Sequence, residues 1–343
     1  MIAALLAPSL SGAKAIVDDL EADLKTGHLY KCLRDAAGSG AIPPRASYVA
    51  GLCALGLNDR DAAETFLQRA KDANFYPTAS WRKPPNELLD QIAAYKRLAP
   101  DFVKVDGVPD SLRIGYDAHS PWVDSVVTAA PGFVGFGRKI FGGDPPFTRL
   151  FLYSNNDTFE EFYGVVFKPG RPHGTGVPGL AVMTEKNAVD RNGRLPVAVV
   201  LHELMHAWIQ GYGRDNYDQR IDIPPWVDEG MAEYVASMDD TELLALRMTQ
   251  LRRELKKHPE PPDFEDLQTV ESFHRPEDAF FHYILSLMLV ERLLGPPNIG
   301  AKSLRKVLDG YAKGKGEDSW RKASGKTVRD EYAAMCADLW GKQ

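Results

Sequence analysis

Between Val199 and Trp208 the chain reads VVLHELMHAW, and three of these residues can do chemistry. His202 and His206 are four apart, so on an α-helix they stand one turn above each other on one face. Two imidazoles placed this way can converge on one metal ion. Glu203, beside the first histidine, can reach a water held by that metal rather than the metal itself. This H-E-x-x-H arrangement points to hydrolysis, in which zinc lowers the pKa of its water and a carboxylate takes the proton as the water attacks a carbonyl. In a chain of 343 residues with 8 His, the pattern arises by chance about once in a hundred such chains. The bland alternative is an amphipathic helix carrying two surface histidines. It fits poorly with Val197 to Leu201 and Ala207 to Ile209, which make the helix mostly apolar. Two ionisable rings and a carboxylate in such a helix are costly without a partner, and a metal supplies one.

A catalytic zinc takes three protein ligands and keeps one open position. The next candidate helix reads PPWVDEGMAEY from Pro224 to Tyr234. Together, H-E-x-x-H and W-x-x-E-G-x-A-E-Y resemble the gluzincin metallopeptidases, in particular the peptidase MA-like domains and their aminopeptidase relatives. The resemblance implies that Glu229, the glutamate before the glycine, is the third zinc ligand. Glu233, one turn further, either accepts a hydrogen bond from a ligand histidine or forms a surface salt bridge. Gly230 and Ala232 read as small residues where this helix crosses the histidine helix. The likeness extends more loosely to TRLFLYSNNDTFEEF, to Ala279 through Gly295, and to Ser319 through Trp340, covering roughly residues 110–343.

Two features depart from the relatives. They carry an oxyanion-stabilising tyrosine about one helix before the closing glycine; counted back from Gly295, that place is Phe280, which has no hydroxyl. His282 and Tyr283 are the nearby substitutes, and helical spacing favours Tyr283, three residues from Phe280. The alternative is that both are packing residues and the site is weak or inactive. The aminopeptidase G-x-M-x-N strand is also unmatched: Gly179 to Glu185 reads GLAVMTE, with Glu185 as the nearest carboxylate. That strand still offers an edge to which an extended peptide could add. His173 reads as a loop histidine.

These residues need elements to hold them. From about residue 14 to 98 the chain reads as helix throughout, with Ala and Leu at helical spacing. Tyr48, Gly51, Leu52, Leu55, Ala63, Leu67 and Ala70, followed by Pro77, resemble one tetratricopeptide repeat with Gly56-Leu57-Asn58 as its turn. Repeats need neighbours to bury their faces, so an ordinary antiparallel helix pair is an equal reading. Pro84-Pro85, Pro100 and Gly107-Val108-Pro109 mark a domain edge near Val105. Beyond it, Leu112 to Tyr116, Thr148 to Tyr153 and Leu180 to Thr184 read as strands, and Asn155 to Thr158 cap a short helix through Tyr163. Leu195 to Gln210 is strongly helical, and the rest is helix apart from loops near 211–225 and 258–264. Strands first and helices after suggest an α+β fold.

The bulk numbers narrow the function. A net charge of -6 argues against non-specific nucleic-acid binding, which needs a basic surface. No apolar run reaches the roughly 18 residues of a membrane span. The apolar stretch Met1 to Leu10 has no basic residue before it and is broken by Pro8, so no complete signal peptide is readable, which favours the cytoplasm. Cys32, Cys53 and Cys336 form no metal-type spacing and read as small buried residues in helices, with a Cys32–Cys53 disulfide as the lesser reading. The expectation is a two-part protein. Residues 1–105 form a helical, tetratricopeptide-like region, and residues 106–343 form a gluzincin-like zinc peptidase domain that hydrolyses a peptide or protein substrate. Zn2+ is held by His202, His206 and Glu229, with Glu203 as general base. The rival is a weak or inactive zinc-binding scaffold that holds a protein partner through its N-terminal helices.

Overall fold

The protein's structure, a computed structural model, describes residues 10–26, 28–39, 42–79, 82–166, 175–177, 179–188, 197–237 and 241–341. The start of the apolar N-terminal stretch and His173 lie outside them. Five helices come first: α1 (Leu10–Thr26), α2 (Leu29–Gly38), α3 (Pro44–Gly56), α4 (Arg60–Asp72) and α5 (Pro85–Leu98). The pair α3 and α4 turns at Asn58, which adopts a left-handed φ of 55°, and Asp59 caps α4 by accepting from Ala62 N. Gly51 is required by close approach: a Cβ there would stand 2.7 Å from Leu67 Cγ.

Cys32 of α2 and Cys53 of α3 form a disulfide, with Cα atoms 6.4 Å apart, while Cys336 is free and buried. The preferred reading of three unpaired cysteines is therefore corrected. Spacing along the chain says nothing about which helix faces pack, and here both cysteines fall in one core with Val49, Ala50 and Phe66. Disulfides persist in oxidising compartments, so this bond weighs against the cytoplasmic expectation.

The sheet follows, built from β1 (Phe102–Val103), β2 (Leu112–Tyr116), β3 (Thr148–Tyr153), β4 (Thr175–Val177) and β5 (Leu180–Thr184). Its order is β1-β2-β3-β5-β4. The three central strands are parallel, and β1 and β4 are antiparallel edges. Strands and helices alternate here, with α6 (Pro121–Phe141) between β2 and β3, α7 (Asn156–Val166) after β3 and α8 (Glu185–Ala188) after β5. The sequence reading places nothing between Tyr116 and Thr148. Ser120 caps α6 by accepting from Val123 N, but Pro131 and three glycines inside it mask the helical pattern. Asn155 caps α7, its Oδ1 accepting from Asp157 N at 2.8 Å.

Alternation along β3 explains the layering. Leu150 and Leu152 face a large core shared with Trp122, Leu201 and Trp208. Phe151 and Tyr153 face the other way, against Tyr95, Phe159 and Phe162. Helix α5 thus belongs to two cores: Leu88 and Ile92 pack with α3 and α4, and Tyr95 packs on the sheet. Tyr153 OH donates to Leu98 O at 3.0 Å. The expectation that β5 presents a free edge fails, because β4 pairs with it from Thr175↔Val182 to Val177↔Leu180.

The helical half comprises α9 (Val197–Tyr217), α10 (Pro225–Ala236), α11 (Thr241–Leu255), α12 (Val270–Phe273), α13 (Ala279–Leu294), α14 (Pro297–Ala312), α15 (Gly316–Ser324) and α16 (Val328–Trp340). The loop expected from residue 211 starts later, because α9 runs on to Tyr217. Gly211 and Gly213 serve packing there, where a Cβ would come within 2.7 Å of Pro146 and 2.6 Å of Ile221. No described helix is long and apolar enough to cross a membrane. The fold is a mixed α+β one, mostly helical around a small sheet.

The disulfide closes a loop with sequence separation 21, and closure of such a loop stabilises the folded state by roughly 3 kcal/mol. Urea unfolding of the oxidised and the reduced protein should differ by about that amount in the transition that reports on the N-terminal helices.

Candidate metal centre

Helix α9 carries the two histidines near its buried middle, with Leu201, Leu204 and Met205 fixing it in the core. Helix α10 begins with Pro225 at its first turn and brings Asp228, Glu229 and Glu233 alongside. Helix α13 backs α10 closely: a Cβ on Gly230 would lie 2.8 Å from the backbone oxygen of Ser286. Gly230 therefore serves the crossing with α13, which corrects the expectation that it serves the crossing with α9.

His202 Nε2, His206 Nε2 and Glu229 Oε2 form a nearly equilateral triangle. The two nitrogens are 3.1 Å apart, and Glu229 Oε2 is 3.3 Å from His202 Nε2 and 3.2 Å from His206 Nε2. That oxygen is buried and accepts no hydrogen bond of good geometry, although both imidazole nitrogens lie close to it. A tetrahedral ion with bonds of about 2.0–2.1 Å separates its ligand atoms by about 3.3 Å. The three side chains thus form a group able to hold a metal ion, and the orphaned carboxylate oxygen gives them a reason to.

The outward ring nitrogens are held by further carboxylates. His206 Nδ1 is 2.9 Å from Asp228 Oδ1, and His202 Nδ1 is 3.4 Å from Glu233 Oε1. Carboxylates behind ligand histidines set the ring orientation and the tautomer. Glu233 is also gripped from the other side, with Arg247 Nε and Nη2 each donating at 2.9 Å. It is buried, so its salt bridge is internal rather than on the surface, and it serves the histidine as well. Sequence reasoning missed Asp228 and Arg247. Asp228 had one signal, a carboxylate directly before the expected ligand; Arg247, 14 residues beyond Glu233, had none.

The charges are tuned to one another. Burial alone would pull the His202 imidazole down, but Glu229 and Glu233 outweigh it and hold it up at about 9. Burial likewise opposes protonation of His206, and Asp228 and Glu229 raise it well above its ordinary value. Burial would push Glu229 and Glu233 up, yet the imidazoles hold both below the usual carboxylate range, helped at Glu233 by Arg247.

An open cleft of about 230 Å³ leads to this cluster, lined by Val199, His202, Glu203, Glu233, Phe280 and Tyr283 among others. Tyr283 OH donates to Glu229 Oε1 at 3.3 Å. Its pKa is raised by burial and by the charges of Glu229, Glu203 and Glu233, so it keeps its proton. His282 instead is turned into the core, its Nδ1 2.9 Å from Phe273 O. Of His282 and Tyr283, the two residues expected to stand in for a hydroxyl at Phe280, only Tyr283 lines the cleft. Glu185 opens α8 directly after β5. Compared with models of protein families, with curated proteins and with solved structures, the chain matches none.

Removing Arg247 leaves the Glu233 carboxylate buried with one partner fewer, at a cost of about 3 kcal/mol. Arg247→Leu should lower the thermal midpoint clearly, and the pair Glu233→Gln/Arg247→Leu should recover part of the loss.

Proposed function

We propose that this chain is a zinc-dependent metallopeptidase that hydrolyses peptide bonds in a peptide or protein substrate. The observation that carries the reading is the triangle of His202, His206 and Glu229, with an orphaned oxygen at one corner, beside Glu203 in an open cleft. Two imidazoles and one carboxylate suit zinc better than calcium or magnesium, which favour all-oxygen cages. Three protein ligands leave a position for water, as catalytic rather than structural zinc requires. When bound, zinc would lower the pKa of that water and polarise the scissile carbonyl.

The chain's own residues do the rest. Glu203 accepts the proton of the attacking water and hands it to the leaving amine. Asp228 and Glu233 keep the imidazoles aimed inward, so the ligand atoms pay no reorganisation when the ion arrives. Tyr283, which keeps its proton, turns its hydroxyl from Glu229 Oε1 to donate a hydrogen bond to the oxygen that gains charge as the carbonyl becomes tetrahedral. The scaffold reading drew on the missing hydroxyl at Phe280, and a tyrosine hydroxyl at 3.3 Å from Glu229 weakens it. Intact Glu203 favours the enzyme too, since a structural site has no use for a general base.

Purified protein should hold about one zinc per chain by elemental analysis, and His202→Ala/His206→Ala should hold none; stoichiometric zinc in that double variant would reject the site. Glu203→Gln should keep zinc and fold while peptide hydrolysis, read by a peptide-library digest, falls by about 10³-fold or more. Tyr283→Phe should keep zinc and lower kcat by about 10²–10³-fold. Wild-type protein with full zinc and no cleavage of any peptide would favour the scaffold instead.

A further inference from the structure

A second cavity, of about 430 Å³, lies where the N-terminal helices meet the sheet, and the proposed reaction makes no use of it. Tyr30 and Leu33 of α2 line one side and Arg214 and Asp215 of α9 another. Leu57 and Asp59 come from the turn before α4, and Phe147 and Arg149 from the start of β3. Half of this wall is apolar and half is charged.

The two arginines and two aspartates are not paired one to one. Asp59 is occupied in capping α4, accepting from Ala62 N at 3.1 Å. Asp215 lies 2.6 Å from Arg214 Nε, and among the described residues no carboxylate pairs with the far end of that guanidinium. Arg149 makes no ion pair with any described residue: it donates to Asn58 O at 2.9 Å and lies 5.2 Å from the Phe147 ring. Behind it, outside the lining, Arg60 donates to Asn58 Oδ1 at 3.1 Å and lies 4.9 Å from the Tyr95 ring, with a buried Nε that has no acceptor. Burial and the neighbouring charge of Arg149 both push the Arg60 pKa down. Guanidiniums cannot shed their protons in practice, so Arg149, at the cavity wall with no ion pair to a described residue and with Arg214 on the same wall, calls for an anion.

We propose that this cavity binds a monocarboxylate with an apolar body, its carboxylate between Arg149 and Arg214 and its apolar part against Leu33, Leu57 and Phe147. An arginine fork matches a carboxylate in shape and charge. A doubly charged phosphate would meet Asp59 and Asp215 on the same wall, so one negative charge fits better than two. The ligand is either a small organic acid or the last residue of a peptide chain, which share this chemistry. The site is independent of the proposed peptidase activity, because none of its residues touches the metal cluster.

The test is titration calorimetry on the full oxidised chain with N-acetyl-L-phenylalanine, its amide, and inorganic phosphate. A capped tripeptide ending in free phenylalanine is titrated into the Glu203→Gln protein, where it is not cut. One saturable site is expected for the free acid, with at least tenfold weaker binding of the amide and no competition by phosphate. Arg149→Gln should weaken the acid at least tenfold. Because Arg149 also holds the Asn58 carbonyl, a second variant guards against misfolding. Tyr30→Glu, at a rim position 41% exposed, adds repulsion without touching the core and should weaken binding too. Tripeptide binding as tight as that of the small acid identifies a chain terminus as the ligand, and binding of the small acid alone identifies a free acid. No saturable binding of either acid, equal affinity for acid and amide, or unchanged affinity in both variants would overturn the proposal.

Discussion

Three nitrogen and oxygen atoms, close enough together to hold a metal ion and about 3.2 Å apart inside a helical core, are the constraint on which the rest of the structure depends. Nitrogen and oxygen atoms so close, with one oxygen left without a donor, are not a low-energy arrangement for a bare interior. Keeping them there takes rigid backbones on two sides. Helix α9 is buried along most of its length, and α10 is clamped from behind by α13, where Gly230 lets the backbones approach. Side chains on such elements hold position better than side chains on loops.

Around the triangle stands a ring of compensating charge. Asp228 and Glu233 face the histidines, Arg247 faces Glu233, and Tyr283 faces Glu229. Each group is the partner of another, so their protonation states are linked. Arg247 also lies 5.7 Å from the Phe280 ring, which ties α11 and the start of α13 to the same network. Loss of one member is felt by the others because the surroundings are too dry to screen it.

The sheet and the N-terminal helices support this centre from a distance. Leu150 and Leu152 of β3 press toward α9, while Phe151 and Tyr153 on the opposite face receive α5. One strand therefore joins the helical region to the core that carries the histidines. Helix α5 spans both packing units, and the pairs Arg34–Asp218 and Arg97–Glu161 bridge them at the surface. Such exposed pairs contribute little energy; the buried aromatic packing of Tyr95, Phe151 and Phe162 joins the two as well.

Local pattern in the sequence was enough for whatever depends on residues near one another along the chain. The i, i+4 spacing of His202 and His206 places both rings on one helical face, and no tertiary information is needed for that. The alternating run of β2, the short apolar runs of β3 and β5 and the cap at Asn155 are legible for the same reason. Glu229 was reached only through a resemblance in motif, since nothing local ties it to a histidine 23 residues earlier. The pairing of Cys32 with Cys53, the shielding of β5 by β4, and the grip of Arg247 on Glu233 were all decided by the tertiary structure. Each depends on which faces of distant elements meet, and the free energy of that meeting comes from packing and charge that no window of sequence contains. The glycines make the same point. Pro131 with the glycines of α6, and Gly211 with Gly213 of α9, look like breakers in one dimension, but in three the last two are where a neighbouring Pro146 and Ile221 need room.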